Sequence, residues 1–244
     1  MARDFESKNI IVGAATFYVG PQGTELNRVA VASVGQTAQD PTVVSGSWYH
    51  MGYTQNGVTM NIEPTYGEVM VDQLLDVAKL FKSAQRVMVA TSLTETTLEN
   101  LYVAIGSKGT DLKATGTASA LIWGDDSGSS SANPATASSI YAVSASSDPG
   151  TVVAALDING GALGYTPIER SVLFVGPGPA KLDTSKTVER LYFGYRAVSM
   201  DAVGVAVQRD NATVFPVNFR LLPSQTNEAA DGNAAYGKIV DRVY

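Results

Sequence analysis

The sequence predicts a mainly β fold: an antiparallel β-sandwich or barrel with one flanking α-helix, a long loop, an insertion and extended terminal arms. Two observations carry this. Short segments with period-2 alternation of apolar and polar residues recur between Gly and Pro breaks, and only one stretch has helical periodicity. The chain has 244 residues, a size at which sandwiches and barrels form single units, so we expect one domain over 1–244.

Residues 8–20 read as a strand pair or bent strand that stops at Gly20-Pro21. A weakly patterned segment follows, until order returns at Val58 to Glu63. There Val58, Met60 and Ile62 face one way, and Thr59, Asn61 and Glu63 the other. Residues 68–72 alternate again, and Val87 to Leu93 form a further strand. The helix follows directly. Leu98, Leu101, Tyr102 and Ile105 share one apolar stripe that we expect to face the core, Thr94 is placed to cap the first turn, and Gly106 supplies the left-handed C-terminal cap.

Residues 107–170 are read as an inserted β-excursion, with short strands around Leu121 to Trp123, Ile140 to Val143 and Val152 to Leu156. Residues 125–135 within it are poor in apolar side chains and rich in turn formers, which predicts a flexible loop. Beyond 171 the strand signal is strong. Val172 to Val175 precedes Gly176-Pro177-Gly178-Pro179, and Leu191 to Val198 is another strand. Val203, Val205 and Val207 then pair across the turn 208–211 with Phe215, Val217, Phe219 and Leu221 as a hairpin. Pro216 requires an edge, or an unpaired side, at its position. Residues 224–244 read as a C-terminal arm beyond a flexible linker.

Composition narrows the function. Seventeen Lys+Arg stand against 23 Asp+Glu, a net charge of -6, and charged residues are only 16% of the chain, below the ~25% usual in globular domains. Low charge with 45% hydrophobic residues points to a surface destined for other subunits. The bases form no cluster in the sequence, and without one the acidic balance repels duplex DNA. The absence of cysteine excludes disulfides and thiolate zinc sites. Met1 to Lys8 does not resemble a secretory leader, and no apolar run reaches the ~18 residues of a membrane span, so we expect a soluble protein that folds in a cytoplasm without contacting a membrane.

Catalytic chemistry finds little to work with. The single histidine, His50, sits among aromatic and apolar neighbours and is read as a packing or surface residue, not as the base of a triad. In 176–181, two prolines remove N–H groups that a phosphate loop would aim at its ligand, so the segment is a turn. Asp125-Asp126 lacks the alternating ligands of a calcium loop. Glu63, Glu68 and Asp72 are read as a solvated or interface-facing acidic strip, and Trp48, Tyr66 and Trp123 as core or subunit-contact residues. We expect no enzyme, no cofactor and no metal; a hydrolase would have to depend on His50.

Three segments together resemble the tail tube (major tail) proteins of long-tailed, siphovirus-like bacteriophages and prophages. They are Asn9 to Pro21, Met51 to Pro64 continuing to Gln73, and above all Ser92 to Leu101, the strand that runs into the helix; the Phe215 to Phe219 stretch is also similar. The resemblance leaves 107–170 outside it. It implies a tail-tube or type VI secretion tube-like β-sandwich with a flanking helix. Such subunits form hexameric rings whose inner strands join into a β-barrel lumen, stacked as the conduit for genome ejection. The implied partners are further copies of the chain, the tape measure, tail terminator and tail tip or baseplate proteins, and phage DNA passing without specific binding. The implied location is the virion tail, assembled in the bacterial host cytoplasm. A capsid-decoration or tail-adhesin β-domain, binding a capsid or glycan surface, has the same composition and is the alternative.

Within that frame the alternation assigns Thr59, Asn61 and Glu63 to the lumen wall, where hydroxyls, amides and acids would let DNA slide. The resemblance places an extended loop at 64–86 that reaches the neighbouring ring. Its apolar residues Met70, Leu74, Leu75, Leu80 and Phe81 are therefore assigned to ring stacking, the loop being mobile in the monomer and ordered in the tube.

Overall fold

The computed structural model of the chain describes residues 13–22, 48–73, 76–107, 112–114, 154–158, 160, 163–164, 167–179, 187–200, 203–205, 213–228 and 234–243. In chain order the elements are β1 (Thr16–Pro21), β2 (Tyr49–His50), β3 (Thr54–Val69), β4 (Lys79–Leu93), α1 (Leu98–Ala104), β5 (Leu112–Ala114), β6 (Ala154–Leu156), β7 (Arg170–Pro177), β8 (Val188–Ser199), β9 (Phe215–Leu222), β10 (Ser224–Glu228), β11 (Ala234–Ala235) and β12 (Gly237–Val243). The fold is mainly β, and among the described residues every strand pair is antiparallel. The principal sheet runs β2-β1-β7-β8-β9-β4-β3, and β12 adds to β8 beside β9.

This sheet folds back on itself. Phe17 of β1 and Phe219 of β9 are three strand positions apart, which in a flat sheet would separate them by about 14 Å. Their ring centroids lie 5.9 Å apart, and Phe17 also stacks on Phe174 at 4.5 Å. The crease is in β8. Residues 188–194 of β8 pair with β12 along the edge where residues 196–199 pair with β9, and the β7–β8 register shifts by a bulge between Arg170 and Val172. An extra residue in one strand bends it and increases its twist. The two halves of the sheet enclose Phe17, Val19, Val89, Leu93, Val172, Phe174, Val217, Phe219 and Leu221, all buried. A second buried cluster of Tyr18, Trp48, Leu173, Val175, Leu191 and Phe193 lies on the other side of β1, β7 and β8. Each strand here is apolar on both faces, which explains the continuous apolar runs in its sequence.

The crease leaves no room for side chains where β8 meets β12. Gly194 and Gly237 are paired. A Cβ on Gly237 would stand 2.0 Å from the Phe193 carbonyl oxygen, and one on Gly194 would stand 2.8 Å from methyl groups of both Leu221 and Val172. Gly237→Ala should therefore lift the start of β12 from β8. The expected readout is rapid amide exchange over 237–243 with the β7–β8–β9 amides still protected; unchanged protection of β12 would contradict the tight packing.

The helix differs from its expected form in detail. It starts at Leu98, and its N-cap is Thr97, whose hydroxyl accepts from Asn100 N, not Thr94. Thr94 instead donates its hydroxyl to the Tyr53 carbonyl. Gly106, at φ 68°, ends the helix as expected, and Ser107 N–H reaches back to Tyr102 O. The core face also shifts. Tyr102 is buried together with Glu99, Asn100, Val103 and Ala104, whereas Leu98, Leu101 and Ile105 are only half-buried; Leu98 and Leu101 pack against the core cluster. Tyr102 lies under the Arg170 guanidinium at 4.7 Å, and Arg170 donates to Ser107 O. These contacts fix the helix to the start of β7.

One other expectation is corrected. Val203 to Val205 is not a strand, and β9 lies between β8 and β4. Pro216 is accommodated because the β8 pairing ends at Phe219, which leaves that side of Pro216 without a ladder partner. The C-terminal arm, in turn, is docked: β12 runs along β8 for seven residue pairs. Residues 125–135, the strands at Leu121 to Trp123 and Ile140 to Val143, and Val207 with its turn lie outside the described residues. Of the expected excursion, β5 and β6 form a two-stranded sheet.

Candidate assembly surface

The segment expected to be a loop is a β-ribbon. β3 and β4 pair from Thr54↔Leu93 to Val69↔Lys79, with one register shift between Gln55 and Val58 and a second between Thr65 and Tyr66. β9 accompanies β4 only from Leu93 to Val87. From Glu63↔Arg86 outward, among the described residues, no third strand accompanies the two for about 24 Å, at ~3.4 Å per residue, and Tyr236 reaches the base of this stretch by donating to Gln85 O. Pro64 did not end the strand because β3 is the outermost strand among the described residues, where a missing N–H costs no ladder bond on the side away from β4.

The base of this ribbon is clamped. Asn100 donates from Nδ2 to the carbonyls of Met51 and Glu95, Thr94 N–H and Oγ1 both donate to Tyr53 O, and Tyr53 N–H donates to Glu95 Oε1. Gly52, at φ 77°, brings the chain so close to Glu95 that a Cβ would sit 2.2 Å from the carboxyl carbon. Gly52 N–H donates to His50 Nδ1, and His50 packs on Tyr18 at 5.3 Å. Burial pushes the His50 imidazole below its ordinary pKa, with Glu95 pulling the other way. This is a structural clasp; its contacts are backbone carbonyls and N–H groups, and His50 serves it as an acceptor.

Cross-strand pairing assigns the faces of the ribbon. On the face continuous with the core stand Ile62, Tyr66 and Leu80; on the opposite, outer face stand Val69 and Phe81, whose ring covers Gly67. Ile62 is 55% exposed, Tyr66 58%, Leu80 60%, Phe81 48% and Met70, at the tip, 70%. Both faces of a protruding ribbon are thus apolar and open to solvent. Leu74 and Leu75 lie outside the described residues.

Closer to the sheet, Val58 and Met60 are half-buried against the core, and Thr59, Asn61 and Glu63 are exposed on the outer face. Ile62 shares the register of Val58 and Met60 and pairs with the buried Val87, but on the outermost described strand it remains exposed. The outer face differs in charge from the expected acidic or neutral wall. Glu63 is opposite Arg86, and Arg220 comes forward from β9. These bases are far apart in the sequence, and only strand register brings them together. The imagined acid set does not assemble: Glu63 and Glu68 are on opposite faces of β3 and Asp72 is at the tip. Among the described residues there is no group of three or more potential metal ligands.

The docked C-terminal strand adds ion pairs. Arg190 holds Asp241 through two hydrogen bonds of 2.5 and 2.7 Å, and Arg242 donates to the buried Glu189 at 2.6 Å. The Arg190 hydrogen bond keeps the Asp241 carboxyl below its ordinary pKa. A lowered folded-state value means that the contribution is present above about pH 4. It is lost as pH falls through the folded value. Asp241→Asn should cost roughly 0.2–1 kcal/mol at neutral pH and nothing once the wild-type carboxyl is protonated, measured as the difference between their denaturation curves.

Compared with known proteins, the chain matches no family model and no curated protein.

Proposed function

We propose that the chain is a non-enzymatic structural subunit of a tube, of the tail tube kind, which assembles into hexameric rings stacked as the conduit for phage genome ejection. The observation that carries this is the β3–β4 ribbon, which leaves its sheet with apolar side chains on both faces. A lone two-stranded ribbon is marginal in water, and exposed apolar patches mark contact sites. A neighbouring ring covering Met70, Leu80 and Phe81 would satisfy both. The outermost β3, 16 residues long, offers an open edge for lateral pairing with the next subunit, and its outer face would then form the channel wall with Thr59, Asn61 and Glu63. Further partners would be tape measure, terminator and tip proteins, in the virion tail.

Negative-stain electron microscopy of the concentrated protein tests the reading. Rings or tubes with a uniform hollow centre are expected. Discrete particles at all concentrations, with binding to a capsid or glycan surface, would replace it by the decoration or adhesin alternative.

A further inference from the structure

The outer face carries a basic cluster that neither the acidic balance of the chain nor its sequence order announces. Arg220 pairs with Met88 on one side and Val198 on the other; Arg196 pairs with Leu222, and Arg86 precedes Val87, the partner of Leu221. Arg220 therefore stands diagonal to both Arg86 and Arg196, at about 7 Å between diagonal neighbours. Arg196 is already held by Glu169 through two hydrogen bonds of 2.6 Å. Arg86 and Arg220 have no carboxylate within ion-pair distance among the described residues. Lys79 shares their face farther along the ribbon; the acids there are Glu63, opposite Arg86, and Glu169, which is held by Arg196. Asn61, exposed on the same face, adds an amide donor.

Two guanidinium groups with no carboxylate within ion-pair distance among the described residues, beside the Asn61 amide and flanked by the apolar Met88, Val198 and Leu222, which do not compete for their donors, suit an oxyanion with several acceptors. We infer that this face contacts the phosphodiester backbone of nucleic acid through Arg86 and Arg220, the inference resting on the reading of the face as a channel wall. Duplex DNA presents one charge per ~1.7 Å of axis, so a ring of such faces meets phosphates continuously. Phosphate contacts carry no sequence information. The net charge of -6 opposes binding, which keeps it weak and sensitive to salt. The wall would brake the strand lightly rather than only repel it.

The test is fluorescence anisotropy of a short labelled duplex with the full chain, at about 20 mM and about 150 mM salt, on both discrete and assembled protein sorted by electron microscopy. Binding is expected at the lower salt and loss at the higher. Arg86→Gln/Arg220→Gln should weaken it by about tenfold and flatten the salt dependence. Lys82→Gln/Lys238→Gln, which removes equal charge elsewhere, should change it by less than about twofold. No binding by the wild type, or equal losses in the two double variants, overturns the inference. So does a wild-type-like affinity in the arginine variant; if that variant also fails to assemble, the arginines serve contacts between copies, for which the acids Asp72 and Asp76 at the ribbon tip are the counterpart. Tubes that bind no duplex would sink this inference alone; binding without any assembly would sink the tube reading alone.

Discussion

Replacing Phe17 with Ala is expected to lower the melting temperature by about 6 to 20 °C. Phe17 is fully buried, stacks on Phe174 at 4.5 Å and meets Phe219 at 5.9 Å. It is thus the side chain through which the β1–β7 half of the folded sheet touches the β9–β4 half. Truncating a buried Phe costs about 3 to 5 kcal/mol, because the transfer energy is lost and a cavity remains. For a chain of this length each kcal/mol moves the midpoint by about 2 to 4 °C. The cavity lies at the centre of the core, where the backbone of five strands prevents collapse, so the upper half of the range is expected. Differential scanning calorimetry decides it. A shift below about 3 °C would mean that the two halves do not depend on this contact.

How much of this was legible in the sequence follows from which forces left a local trace. β7, β8 and β9 were found because buried strands carry apolar runs between Gly and Pro breaks. The half-buried register of Val58 and Met60 was visible as plain alternation. The ribbon was not, since with solvent on both faces nothing selects polar residues at every second position, and Pro64 together with the bulge near Tyr66 disguised a continuous strand as a loop. In α1, hydropathy pointed to Leu98, Leu101 and Ile105. The structure buries Asn100 instead because its amide binds the Met51 and Glu95 carbonyls. Burial bought by hydrogen bonds leaves no hydrophobic signature. The two segments that looked most characteristic, Met51 to Pro64 and Ser92 to Leu101, prove to be the two sides of one clasp. The basic cluster was invisible for a different reason: Arg86, Arg196 and Arg220 come from three strands, and their proximity is a property of register alone.

The second large effect concerns assembly. If the subunit assembles as proposed, Leu80→Ser/Phe81→Ser should abolish rings and tubes while moving the melting temperature of the discrete subunit by no more than a few degrees. The two residues are adjacent on β4, so they point to opposite faces of the ribbon, and each is already about half exposed. Neither belongs to either buried cluster. What the subunit loses is small, chiefly the cover that Phe81 gives Gly67. What the assembly loses is larger. Completing the burial of each side chain is worth about 1 kcal/mol, half the usual 1.5–3 for a full transfer, and sixfold repetition makes roughly 12 kcal/mol per ring contact, before the ordering cost of association. Removing such a term shifts the concentration needed for stacking by many orders of magnitude, since each 1.4 kcal/mol is a factor of ten. Circular dichroism and calorimetry report on the subunit, and sedimentation with electron microscopy reports on the assembly. If the double variant unfolds, the ribbon is part of the subunit's own core; if it still forms tubes at wild-type concentration, stacking runs through another surface. The informative result is a folded subunit that no longer stacks, because only an intersubunit role for the ribbon separates the two readouts.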